Sequence, residues 1–130
     1  MSETFNQENI ARLDQNLMDE LQVVFMEYSE RKGFPDAYCT KISKEIATDL
    51  GFHYQEGFFK LDFPNSKGAL LIEHAWCTDA DKTIIDLTAH QFNANLEKAL
   101  FNGVQVIKLR DPLYERYSPL NASAKNRSSR

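Results

Sequence analysis

The apolar residues of this chain change their spacing once, at Gly51, and that change limits the fold more than any composition figure. Upstream, Ile10, Leu13, Leu17, Leu21, Val24, Phe25 and Tyr28 recur at intervals of three and four, which predicts one long amphipathic helix from about Asn6 to Lys32. Gly33 and Pro35 stop it. A second helix is predicted from Cys39 to Leu50, with Ile42, Ile46 and Leu50 on one face and Gly51 as its stop. Downstream, strands are expected over His53–Phe63, Ala69–Cys77, Thr83–Ala89 and Val104–Leu109, with a short helix over Gln91–Leu100. Pro64 to Gly68, Thr78 to Lys82 and Asn102-Gly103 supply the turns. Helices followed by an antiparallel sheet make an α+β fold.

The chain has 130 residues, enough to bury a core without disulfides or metal. A single domain over 1–118 is expected, with a helix and loop over 1–35, a core over 36–110, and a disordered tail over 119–130 that has nothing to bury. The net charge of −4 argues against nucleic acid as a partner. No apolar run is long enough for a membrane span, and the first residues lack a secretory pattern. The expected location is the cytoplasm, or outside the cell by a route without a cleavable signal peptide. Two cysteines are too few for a disulfide scaffold.

Chemistry concentrates on Cys39, His74 and Asp86. Cys39 falls in the first turn of a helix, where free N–H groups and the helix dipole favour thiolate. His74 and Asp86 lie on two strands of one hairpin. With the turn centred on Ala80, Cys77 faces Thr83, Trp76 faces Ile84 and His74 faces Asp86, with Cβ atoms ~5 Å apart. Asp86 would then fix the imidazole tautomer, and His74 would take the proton of Cys39. Zinc is disfavoured: His74 and Cys77 point to opposite faces of a strand and no C-x-x-C pair exists. No metal or other cofactor is expected. Cys77 reads as an inert core thiol.

The runs His74-Ala75-Trp76, Ile84-Ile85-Asp86-Leu87-Thr88 and Gln91-Phe92 resemble the His and Asp segments of papain-like and transglutaminase-like cysteine hydrolases. The resemblance covers about Tyr38 to Phe92 and is similar, above all, to small papain-fold toxin and effector domains that deamidate protein glutamines. It implies a papain-like core, with Cys39 as nucleophile, His74 as general base and Asp86 as the orienting acid. A protein or peptide substrate is implied, attacked through a thioester. Deamidation is preferred, with peptide cleavage or acyl transfer to an amine as alternatives, and an inactive fold used as a protein-binding module as the non-enzymatic one. Tyr38, Trp76 and Gln91 are candidates for the oxyanion or substrate contacts, and the second oxyanion donor is open.

Overall fold

In a computed structural model of the chain, residues 9–62, 68–95 and 103–120 are described. Helix α1 spans Gln15–Ser29 and α2 spans Cys39–Leu50. They precede strands β1 (His53–Asp62), β2 (Ala69–Thr78), β3 (Ile84–Asp86), β4 (Gln105–Ile107) and β5 (Tyr117–Pro119). Short 3₁₀ helices cover Ala89–Asn95 and Pro112–Arg116. The strands form one antiparallel sheet in the order β4-β3-β2-β1-β5, so the architecture is α+β. No helix among the described residues is long and apolar enough to cross a membrane.

The first helix is shorter than its apolar stripe suggests. Asp14 caps α1 by accepting a hydrogen bond from the Leu17 N–H at 2.8 Å. Residues 10–13 form an extended strap instead, bound at both sides. Ala11 N–H donates to Gly51 O, Ala80 N–H donates to Ala11 O, and Leu13 N–H donates to the Asp79 carboxylate. These bonds to distant residues outcompete local helical ones. The helical expectation for residues 6–8 lies outside the described residues.

The second helix has the predicted bounds. Gly51 closes it in the left-handed region at φ 86°, where a side chain would be strained. Leu21 and Tyr28 of α1 and Ile42 and Ile46 of α2 bury their side chains against Phe52, Cys77, Ile85 and Leu87 on one face of the sheet. On the other face Phe59, Leu61, Trp76, Ile84, Phe92, Ile107 and Tyr117 form a second apolar cluster. This face is covered by the 3₁₀ segments rather than by α-helix, with Phe59 and Phe92 stacked at 4.1 Å.

Three strand expectations need correction. β3 ends at Asp86, not Ala89, because the Asp86 carboxylate accepts the Thr88 N–H and bends the chain into the following 3₁₀ helix. The fourth strand is confined to Gln105–Ile107. The 3₁₀ helix begins at Ala89, and the predicted helix beyond Asn95 falls largely outside the described residues. A fifth strand, not expected, spans the end of the expected domain and the first residue of the expected tail. Pro119, the first residue of the expected tail, sits in β5, and Leu120 N–H donates to Glu56 O. Residues 121–130 are outside the described residues.

The strand β5 pairs with β1 closely at Gly57. A Cβ there would lie 2.7 Å from Trp76 Cη2 and 2.8 Å from Pro119 Cα, and closer still to Ser118 O. Glycine at this position therefore sets how near β5 comes to the sheet.

Candidate active site

Three elements bring the sequence candidates together: the head of α2, the middle of β2 and the end of β3. The hairpin register differs from the expected one. Cys77 pairs with Ile85 and Thr78 with Ile84, which moves the turn centre from Ala80 to Asp81. Asp79 is the cause. Its Oδ1 accepts the N–H groups of Asp81 and Thr83, its own N–H donates to Thr83 O, and Lys82 takes a left-handed φ of 66°. The result is a three-residue hairpin loop with a left-handed residue at its last position. His74 and Asp86 thus meet diagonally across the hairpin rather than face to face. The shift is by an even number of residues, so both side chains stay on one face, and a diagonal pair is still within reach of long side chains.

His74 Nε2 and Asp86 Oδ2 are 2.7 Å apart, and both side chains are almost fully buried. Burial alone would force Asp86 neutral. Instead its pKa is held below the usual carboxylate value: burial opposes the charge, and His74, the Thr88 N–H and Tyr117 outweigh it. Oδ1 accepts the Thr88 N–H at 2.9 Å and the Thr88 hydroxyl at 3.3 Å. Oδ2 accepts the Tyr117 hydroxyl at 2.7 Å as well as His74. His74 responds in turn. Burial works against its charged form, but Asp86, with help from Cys39, pushes the imidazole up to about 9 from 6.5.

The other ring nitrogen, His74 Nδ1, is buried and makes no well-formed hydrogen bond. Cys39 shares a cavity with His74, and its influence is felt in the pKa of the ring. Cys39 opens α2 and is half-buried. Tyr38 at the cap position offers no side-chain hydrogen bond to the helix, so the positive end of α2 stands uncapped behind the thiol. Burial pushes the thiol pKa up, yet hydrogen bonding and charge from His74, together with the Ala75 N–H and Thr40, bring it below the ordinary value. Cys77 is the opposite case. It is fully buried, its thiol donates to Ser43 O at 3.1 Å, and burial raises its pKa strongly.

Cys39 and His74 line an open cavity of about 310 Å³ with Thr40, Glu56, Gly57, Phe58, Glu73, Ala75 and Leu120. Tyr38, Trp76 and Gln91, the expected oxyanion or substrate contacts, are not in its lining. The Tyr38 hydroxyl donates to Lys32 O, and its ring packs edge-on against Tyr28 and Phe34. Trp76 is buried behind the site, tilted against His74 at 5.9 Å and edge-on to Tyr117. Gln91 donates its amide to Thr88 O and so braces the bend after Asp86.

Tyr117 and Thr88 were not among the sequence candidates. Thr88 carried a usable signal, since an Asp two residues before a Thr commonly closes an Asx turn. Tyr117 carried none, because nothing local ties it to Asp86. Among the described residues no group of three or more His, Cys, Asp or Glu is placed to hold a metal ion. No protein-family model, curated protein or solved structure matches this chain.

Proposed function

We propose that this chain is a cysteine-dependent amide hydrolase with a papain-like core, and that it converts the side-chain carboxamide of glutamine in a protein partner to a carboxylate. The observation that carries the reading is the line from Asp86 through His74 to Cys39. One imidazole nitrogen is tied to a buried carboxylate, the other is buried without a hydrogen-bond partner, and the ring shares its cavity with a thiol of lowered pKa. A structural His–Asp pair has no need of a thiol of lowered pKa in the same cavity.

The chemistry follows from those groups. The Cys39 thiolate attacks the carboxamide carbon, forming the C–S bond while the C=O electron pair moves onto oxygen. The His74 imidazolium gives its Nδ1 proton to the amide nitrogen, the C–N bond breaks, and ammonia leaves a thioester. His74, now neutral, takes a proton from water as the water oxygen attacks the thioester. The C–S bond breaks, the carboxylic acid departs, and the thiolate–imidazolium pair is restored. Asp86 keeps the imidazole oriented and stabilises its charge throughout. The Cys39 N–H in the uncapped first turn of α2 is one donor for the oxyanion, and the Ala75 N–H, already turned toward Cys39, is the nearest second.

The cavity supports a side chain as substrate more than a long stretch of main chain, because Leu120, just past β5, bounds it on one side. Glu56 and Glu73 on its wall favour a neutral or basic segment around the target. The test is incubation with candidate partner proteins, followed by mass spectrometry for glutamine-to-glutamate conversion and an assay for released ammonia. Cys39→Ala serves as the control. Cleaved peptide bonds without ammonia would move the reading to a peptidase. No amide chemistry, together with slow and equal labelling of both cysteines, would overturn it in favour of a binding module.

A further inference from the structure

The final strand reaches the constellation through Tyr117, which bonds to Asp86. Tyr117 is the first residue of β5, is 4 % exposed, and packs edge-on against Phe59 and Trp76. Its hydroxyl donates at 2.7 Å to Asp86 Oδ2, the same oxygen that His74 Nε2 approaches at 2.7 Å. The phenol pKa is driven well above 10 by burial and by the Asp86 charge, so the group is a donor and never a phenolate at working pH.

We propose that Tyr117 is a positioning residue for the site, which sets how much of the Asp86 charge reaches His74 and thereby the upper pH limit of the Cys39–His74 pair. The proposal rests on the reading of Cys39, His74 and Asp86 as one site, and it concerns a residue that touches neither substrate nor thiol.

The argument is one of sharing. Oδ1 of Asp86 is occupied by the Thr88 N–H and hydroxyl, so it cannot rotate toward His74 without losing both. Oδ2 therefore has two claimants, His74 and Tyr117. A hydroxyl donating to a carboxylate oxygen draws off charge that would otherwise hold the imidazole proton. Tyr117 thus fixes the oxygen in place and at the same time tempers its basicity. Other groups face this pair as well. Cys39 comes from α2, and its charge raises His74. Cys77 on β2 and His90 on the 3₁₀ helix both feel the Asp86 charge. Neither of those two is bonded to Asp86, whereas Tyr117 is.

The delivery of Tyr117 depends on Gly57. Only a residue without a Cβ lets Ser118 O and Pro119 come this close to β1, and Tyr117 pairs with Phe59 two positions along in the same ladder. A short edge strand near the end of the chain thereby tunes a site whose nucleophile lies on α2.

Tyr117→Phe keeps the ring and removes only the donor. NMR titration of the His74 imidazole should show its pKa higher than in the wild type, and the upper limb of the pH profile of Cys39 alkylation should move up with it. With an amide substrate, the upper limb of the kcat–pH profile should move up with the His74 pKa, with KM unchanged. Tyr114→Phe is the control, since that hydroxyl donates to Lys82 O away from the site, and it should move neither readout. Should Tyr117→Phe not fold, difluorotyrosine at position 117, a stronger donor of the same shape, should move His74 down. An unmoved His74 pKa in the folded variant would overturn the proposal even if the protein is an amidase. A shifted pKa without amide chemistry would uphold it while removing the functional reading.

Discussion

Replacing Asp86 with Asn changes one atom and should disable the site in a measurable way. In the wild type, the Oδ1 position is held by two donors from Thr88. The carbonyl oxygen of Asn must take that position, because an NH₂ there would face a second donor. The NH₂ then falls where Oδ2 was, opposite His74 Nε2, and donates to it. The ring proton is forced to Nδ1, the nitrogen that has to accept from the thiol. The magnitude follows from His74 itself. Its displacement from 6.5 to about 9 corresponds to roughly 3 kcal/mol of preference for the charged ring, achieved against burial. Without Asp86 only Cys39 still opposes burial, and in a Cys39→Ala background the value should drop below 6.5. The protonated fraction at neutral pH would fall from nearly complete to about a quarter or less.

The sign for stability is equally definite. A folded-state pKa above the unfolded one makes a contribution that is full below 6.5 and is lost as pH rises through about 9. Asp86→Asn should remove that decline. Cys39, whose folded pKa is depressed, contributes with the opposite sign, so both proteins are compared in a Cys39→Ala background. The assays are NMR titration of His74 and chemical denaturation across that pH window. A His74 that titrates near 9 in the Asn variant would refute the reasoning, because the charge would then come from elsewhere.

Two further perturbations probe the frame around the site. Gly57→Ala places a methyl group against Ser118 O, Pro119 and Trp76, and should cost about 3 kcal/mol, or roughly 10 °C in Tm by calorimetry; an unchanged Tm would mean that β5 is free to move aside. Asp79→Ala removes the acceptor for the Leu13, Asp81 and Thr83 N–H groups, so it should cost about 2–4 kcal/mol and speed hydrogen exchange at those three amides, whereas unaltered protection there would show that the turn holds without it.

Local signals made part of this legible in advance. The bounds of α2 followed from an apolar face and a terminal glycine, both of which act within the helix. The shared face of His74 and Asp86 survived a misjudged register because alternation depends only on whether positions differ by an even number. The register itself was hidden in Asp79, whose carboxylate organises the turn through two backbone bonds that composition does not reveal. The strap before α1 was hidden for a related reason. Its residues continue the apolar stripe of the helix, and only pairing with Gly51 and Ala80, both distant in sequence, pulls them straight. β5 was the largest omission: a three-residue segment at the edge of the expected tail carries no strand pattern of its own, and Gly57, sixty residues upstream, leaves room for it.

The central claim is that Cys39 is an activated thiol and Cys77 an inert one. Iodoacetamide alkylation followed by peptide mass spectrometry, at a series of pH values from mildly acidic upward, measures both in one experiment. Cys39 should react faster than Cys77 at every pH and retain its reactivity into the acidic range, and His74→Ala should abolish that acidic reactivity. Two cysteines that label slowly and at equal rates, or a Cys39 indifferent to the loss of His74, would contradict the account.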